Sequence, residues 1–155
     1  MGSDHKHDHS ACIEGALHTA SHVCEARGTR LTPLREQVLE ALWGSHHAQG
    51  AYDVLHAVNK KAKKKLAPLS VYRALDFLVA EGLVHRIESL NAYVGCPHPE
   101  QTHALQFLIC NDCRSVVELD ESKINRTLSS SAEAHGFTPT RTVVEVVGQC
   151  SNCAA

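Results

Sequence analysis

Apolar residues recur every three or four positions through the first half of the chain, and this spacing predicts amphipathic helices. Thr32 and Ser70 each precede one of these segments and are predicted as N-caps, because their hydroxyls can accept a hydrogen bond from the first turn. Glycine residues end three of the segments and provide the stop signals. The predicted helices cover about residues 11–27, 33–43, 51–63 and 71–81.

Beyond residue 82 the pattern shortens to apolar segments that are typical of strands. Two of them, LVHRIES and NAYVGC, predict a hairpin with a turn near residue 90. The rest of the chain predicts two strands, a helix and a final strand, in ALQFLIC, SVVELD, ESKINRTLSSSAEAHG and TRTVVEVVGQC. A three-stranded sheet of this size has open edges, so we expect it to pair with a second copy as a homodimer.

These elements predict an α+β protein in which an N-terminal winged helix-turn-helix is followed by a small α/β dimerisation domain. Three helices, a fourth with a polar outer face, and a hairpin make up the winged module. The predicted segments are a flexible His-rich tail, a winged-helix DNA-binding domain, a hinge, and a dimerisation and zinc-binding domain, over residues 1–10, 11–95, 96–103 and 104–155.

The formal net charge is −2, but the middle section of the chain is basic and its charge is cancelled by acidic flanks. Residues 27–86 contain ten Lys or Arg against five Asp or Glu, and both flanks are acidic, which favours an anionic partner for this section. A DNA-reading helix places the residues near its start against base edges, and here these are Tyr72 and Arg73. The alternative is that the lysines are a solvated helix end and that Arg73 pairs with Asp76 or Asp53.

The chain has seven cysteines and no signal-peptide pattern, and its apolar runs are too short to span a bilayer. We therefore expect a cytoplasmic protein that uses cysteine for metal binding or redox chemistry. Two Cys-x-x-Cys pairs can complete one tetrahedral site, for which zinc is the best-suited ion. The alternative is a pair of redox-active motifs, although neither opens a helix, the usual setting of a reactive thiol. The four cysteines are Cys110, Cys113, Cys150 and Cys153.

A second candidate metal site combines one thiolate, two imidazoles and one carboxylate, a mixed set that also suits zinc. Its residues come from the hairpin, the hinge and the following strands: His85, Cys96, His103 and Glu118. The alternative is that each of these side chains forms ordinary hydrogen bonds. Within the segment CPHPEQTH we expect the first and last residues to be ligands, with His98 and Glu100 facing solvent between them.

The segments RLTPLREQVLEAL, SVYRALDFL, AYVGC, TH…ICNDC and CSNC, in this order, closely resemble the ferric uptake regulator superfamily over about residues 11–153. TPLR is similar to the family's TPQR, and SVYRALDFL is similar to its TVYR recognition helix. The zinc-responsive branch of the family looks most similar. The resemblance implies a repressor of zinc-uptake genes, in which zinc is the corepressor that fixes a homodimer on an AT-rich palindromic operator.

The resemblance also implies roles for individual residues. The four-cysteine site becomes a structural zinc site and the mixed site a sensor, which gives two or more zinc ions per subunit. Iron-type members have an HHHDH run where this chain reads THALQF, so an iron-type site looks incomplete. His46 and His47 stand where other members have a histidine pair that supplies ligands. The implied DNA contacts are Tyr52, Ser70, Tyr72, Arg73, Arg35, Lys64 and Lys65.

Other functions remain open from the sequence. The same fold can answer to iron, manganese or nickel, and the Cys-x-x-Cys pairs can serve a thiol-based redox sensor. A zinc enzyme is a third alternative, because HPE followed by CNDC echoes a deaminase signature. However, Ile109 replaces the signature proline, and Cys150 and Cys153 would have no role, so we expect no enzymatic activity.

Overall fold

A computed structural model describes residues 9–155, and the chain divides between Gln101 and Thr102 into two units. This boundary falls inside the segment predicted as a hinge. The predicted His-rich tail lies outside the described residues except for His9 and Ser10, which belong to the first helix instead. None of the helices within residues 9–155 combines the length and apolar character needed to cross a membrane.

Within residues 9–101 the first unit forms helices followed by a hairpin, the elements of the predicted winged helix-turn-helix. Their bounds are α1 (His9–Ala26), α2 (Pro33–Trp43), α3 (Ala51–Lys61), α4 (Pro68–Ala80), β1 (Val84–Ile87) and β2 (Ala92–Gly95). One apolar face of each helix packs into a common core, as the periodicity predicts. The buried residues include Val38, Leu39, Leu42, Val54, Val58, Val71, Leu75 and Leu78.

The start of α4 differs from the prediction. Ser70 is not its N-cap, because the helix begins earlier, with Ala67 as N-cap and Pro68 in the first turn. Proline suits that position, since its φ is already near the helical value and its missing N–H has no partner to lose there. Thr32 is the N-cap of α2 as predicted, although its side chain makes no capping hydrogen bond.

The hairpin of β1 and β2 is antiparallel, with His85 opposite Val94. Its turn is a short 3-10 segment closed by Asn91, whose φ of 46° is left-handed, a conformation that asparagine tolerates well. Tyr93 and Gln49 exchange two backbone hydrogen bonds of 2.9 and 2.8 Å. These bonds hold the hairpin against the segment that precedes α3.

The second unit has the predicted β-β-α-β order, and together the two units confirm the α+β class. Its elements are β3 (Leu105–Cys110), β4 (Val116–Leu119), α5 (Ser122–Ala134) and β5 (Val143–Gly148). Strand β3 is central, antiparallel to β4 and parallel to β5. The buried amide of Gln106 anchors α5, because its Nε2 donates to the Glu121 carbonyl and to Asn125 Oδ1, both at 3.1 Å.

An exposed apolar row crosses this sheet. Leu108 lies opposite Val117 on one side and Val146 on the other, so the three side chains share one face. Their exposed fractions are 39%, 53% and 53%. Helix α5 contains no buried residue in the described structure. The unit therefore presents more apolar surface than a single chain covers.

The close approach of Gly95 to Trp43 predicts that Gly95→Ala destabilises the first unit. A Cβ at this position would lie 2.5 Å from Trp43 Nε1, so the indole ring must shift. Overpacking of this kind costs about 1–3 kcal/mol of unfolding free energy. Trp43 is the single tryptophan of the chain, so its fluorescence during denaturant unfolding reports on this unit alone.

The matched control is Gly15→Ala in α1, where an added Cβ meets nothing within 4 Å. Alanine is the better helix former, so this variant should be unchanged or slightly more stable. Equal unfolding midpoints for the two variants would contradict the predicted clash.

Candidate metal centres and DNA-binding surface

The four cysteine sulfurs gather at one end of the three-stranded sheet. Cys110 ends β3 and Cys113 lies in the turn that follows, whereas Cys150 and Cys153 lie in the turn after β5. Because β3 and β5 are parallel neighbours, their carboxyl ends lie at the same edge and bring both turns together. All four Sγ atoms lie within 4.8 Å of one another.

Sulfur spacing in this cluster fits a tetrahedral zinc site. Cys113 Sγ and Cys150 Sγ are 3.8 Å apart. With Zn–S bonds of about 2.3 Å, the edge of a regular tetrahedron is about 3.8 Å. The two turns are also linked directly, by Gln149 Nε2 donating to Asp112 Oδ2 at 2.9 Å and by Asn111 N–H donating to the Gly148 carbonyl at 2.8 Å.

The thiols of the cluster differ in acidity. The backbone N–H groups of Cys113 and then Cys150 lower the pKa of Cys110 to about 6. Hydrogen bonding to the Ser115 hydroxyl lowers the pKa of Cys113. The neighbouring Cys150 sulfur, followed by burial, raises the pKa of Cys153 to about 12. Cys110 therefore loses its proton readily, whereas four thiolates together need a bound cation to stabilise their negative charge, as in a metal site.

The first unit contains the His85–Cys96 pair of the predicted mixed site. His85 lies opposite Val94, so Cys96, two residues further on, is its diagonal neighbour on the same face of the hairpin. Cys96 N–H donates to the Leu83 carbonyl at 3.0 Å and so extends the ladder by one residue. Both side chains are buried, with exposed fractions of 7% for His85 and 3% for Cys96.

The second unit contains the His103–Glu118 pair. His103 Nε2 lies 2.5 Å from Glu118 Oε1, and both side chains are largely buried. Glu118 is on β4 opposite Phe107, and His103 precedes β3 by two residues. The contact joins an imidazole to a carboxylate, two of the ligand types that zinc accepts.

The remaining histidines lie outside these sets. His98 is exposed, as is Glu100, in agreement with the expectation that both face solvent. His46 and His47 are exposed in the segment between α2 and α3. The sequence prediction assigns no role to His18 and His22, although their four-residue spacing on a helix can be read directly from it.

Three of the predicted DNA-binding residues, Tyr52 of α3 with Tyr72 and Arg73 of α4, form an exposed surface on the first unit. The rings of Tyr52 and Tyr72 meet edge to face, with centroids 6.5 Å apart, and Arg73 is exposed beside Tyr72 on α4. Among the ion pairs formed within residues 9–155, Arg73 pairs with neither Asp53 nor Asp76. The guanidinium of Arg73 is therefore available to a ligand.

The other residues predicted to contact DNA differ in their exposure and in the interactions they already make. Lys64 and Lys65 are exposed in the segment before α4, which is anchored by Leu66 N–H donating to Asn59 Oδ1 at 2.8 Å. Ser70 is half-buried in the first turn of α4. The Arg35 guanidinium lies 3.4 Å over the Phe77 ring, and its Nη1 donates to the Arg30 carbonyl. Arg35 therefore has a packing role as well as its charge.

Comparisons of the sequence and of the structure with known proteins all identify the same family. A model of the ferric uptake regulator family matches residues 26–147. The zinc uptake regulation protein of Escherichia coli is 37% identical over 138 residues, which cover 88% of this chain and 80% of that protein. A solved zinc uptake regulator in complex with zinc and DNA is 35% identical, with a TM-score of 0.86 over 92% of this chain and 95% of the other. The crystal structure of holo XcZur is 42% identical, with a TM-score of 0.80 over 89% and 96%.

The four-sulfur cluster predicts that Cys150→Ser removes a metal ion and unfolds the second unit. Three thiolates bind zinc more weakly than four, and binding free energy at such a site is also folding free energy. We expect the variant to lose about one zinc per chain by elemental analysis and to lose strand signal by circular dichroism. Ser151→Ala, an exposed residue in the same turn, is the control and should keep both. Full zinc content in Cys150→Ser would rule out this cluster as the site.

Proposed function

The chain belongs to the ferric uptake regulator family, and from this membership and its metal ligands we propose that it is a zinc-responsive repressor of transcription. This is a family of transcription regulators and not of enzymes. The observation that carries the proposal is that one chain combines a helix with Tyr72 and Arg73 exposed and a cluster of four soft cysteine ligands. Thiolates favour zinc over iron(II) or manganese(II), which more often take histidine and carboxylate oxygen.

The four cysteines at the end of the sheet hold a structural zinc. All four positions of the tetrahedron are filled by protein sulfur, so the ion has no open position for chemistry. Its contribution is to fasten the turn after β3 to the turn after β5. In this role the ion stays bound while the regulatory zinc comes and goes.

The regulatory zinc is bound by His85 and Cys96 from the first unit together with His103 and Glu118 from the second. This assignment rests on the ligand set and on family membership, and each pair is already preformed inside its own unit. An ion bound by both pairs restricts how the DNA-binding unit is oriented. Zinc activates only as far as it binds more tightly to the DNA-competent arrangement, and operator DNA must then tighten zinc binding by the same factor.

The exposed row of Leu108, Val117 and Val146 supports pairing with a second copy of the chain. A two-fold symmetric dimer presents two copies of α4, which matches the symmetry of a palindromic operator. At each half-site Tyr72 and Arg73 face the bases, while Lys64 and Lys65 contact phosphates. Tyr52, Ser70 and Arg35 complete the DNA contacts.

The genes repressed are those for zinc uptake, since a repressor that zinc activates closes a feedback loop on zinc supply. The protein works in the cytoplasm, where its operator DNA lies.

The sensor assignment predicts that Cys96→Ser abolishes the zinc response of operator binding. Loss even of an outer partner of a metal ligand lowers metal affinity about 10- to 100-fold, so loss of the thiolate itself should cost at least as much. The measurement is fluorescence anisotropy of an operator, selected from random duplexes with the zinc-loaded wild-type chain, across a series of buffered free zinc concentrations. The variant should also retain its structural zinc.

Cys12→Ser is the control, because Cys12 is a half-buried cysteine on α1 outside both ligand sets. It should respond to zinc as the wild type does. If Cys96→Ser keeps the wild-type zinc midpoint, the sensor site is wrongly assigned, and zinc stoichiometry will show whether a second ion binds elsewhere.

The exposed position of Arg73 predicts that Arg73→Ala weakens operator binding by about 1–3 kcal/mol and relaxes sequence preference. Lys64→Ala should instead weaken binding to all duplexes alike and reduce the slope of log affinity against log salt by about 1. Arg126→Ala, an exposed arginine of α5, removes the same charge outside the DNA-binding surface and should leave affinity unchanged. Equal losses for Arg73→Ala on operator and scrambled DNA would show that it contacts phosphate only.

A further inference from the structure

His18 and His22 form an exposed imidazole pair on α1, on the side away from the buried residues Ala20, Val23 and Cys24. Their Nε2 atoms lie 3.3 Å apart, and their ring centroids are 4.5 Å apart at an interplanar angle of 57°. The two rings thus approach each other through the same nitrogen atom. Neither residue belongs to the four-cysteine site or to the proposed sensor site.

This nitrogen spacing equals the bite of a zinc chelate. With Zn–N bonds of about 2.0–2.1 Å, two ligands at the tetrahedral angle are about 3.3 Å apart. Histidines at positions i and i+4 on one helix face are a recurrent zinc-binding arrangement. A hydrogen bond between the rings is the competing explanation, but 3.3 Å is longer than the usual 2.9–3.0 Å or so, and both rings are open to water.

The charges around the pair also favour a cation. Glu14 lies four residues before His18, and Glu25 lies three residues after His22, so both carboxylates are on the same side of the helix. Both are exposed. Within residues 9–26 there is no Lys or Arg on α1 to oppose a bound cation.

We propose that His18 and His22 chelate an additional zinc ion on the DNA-binding unit, through their two Nε2 atoms, with water in the remaining positions. Two protein ligands hold zinc more weakly than four, so this site fills after the other two. Binding joins successive turns of α1 and stabilises the helix by an amount that grows with the free zinc concentration relative to the dissociation constant. The site thus responds to zinc excess, at concentrations above those that load the sensor.

The test uses the zinc-loaded chain, in a background that carries His5→Gln, His7→Gln and His9→Gln so that the histidines near the N-terminus cannot contribute. Equilibrium dialysis against rising Zn²⁺ should detect one extra ion per chain. His18→Gln and His22→Gln should each weaken its binding by at least about tenfold, since each removes one of two ligands. His56→Gln, a single exposed histidine on α3, is the matched control and should bind as the background does.

A second measurement identifies the ligand atoms. In protein labelled with ¹⁵N at histidine, the Nε2 resonances of residues 18 and 22 should shift together and saturate with the extra ion. Unchanged binding in both single variants, or a shift of one nitrogen without the other, would overturn the chelate. All the variants keep the proposed sensor ligands. Loss of the extra ion with a normal operator response therefore supports the chelate and leaves the sensor proposal intact. Loss of the operator response alone counts against the sensor.

Discussion

The gathering of four cysteine sulfurs at one end of the second unit is the constraint on which the rest of that unit depends. Within residues 102–155 the fully buried side chains all come from residues 104–110, that is, from β3 and the residue before it. Strands β4 and β5 and helix α5 contribute only half-buried or exposed residues. So small a core supplies little stability by burial alone, and a structural metal is the usual substitute in domains of this size. The parallel pairing of β3 with β5 places the second Cys-x-x-Cys turn at the first, so topology and metal site stabilise each other.

The proposed sensor works differently, because its ligands are held in pairs by ordinary strand and loop structure. The register of the hairpin sets His85 diagonal to Cys96, and the Gln49–Tyr93 bonds hold that hairpin to the helices. His103 and Glu118 are likewise in contact within their own unit. The ligands are already positioned within each unit, so the ion has little left to order there. In the proposed mechanism its binding free energy is therefore available to select the relative orientation of the two units.

Local signals account for most of what could be predicted from the sequence. Helical periodicity found α1 to α4, and the Cys-x-x-Cys spacing found the four-sulfur cluster, because both depend on neighbours along the chain. Ser70 was misplaced as a cap because two helix-start signals compete there, and the fixed φ of Pro68 acts first. The stacking of Arg35 on Phe77 depends on how α2 crosses α4, which no local pattern encodes. The His18–His22 chelate needs only a helix and a spacing, so it was readable, but the exposed position of both rings is a tertiary fact.

Electrostatics decides how strongly the proposed α1 zinc can influence DNA binding. Residues 1–26 carry four acidic side chains against one lysine, so a bound divalent cation offsets much of the negative charge of this segment in a repressor that binds DNA. That effect favours DNA, but it acts through solvent, where charges further apart than about 8–10 Å are largely screened at physiological salt. The proposed sensor ion, by contrast, would be ligated by residues of both units and would restrict their orientation directly. In the proposed mechanism the sensor ion therefore controls the switch, and the proposed α1 ion adjusts the affinity of the repressor for DNA.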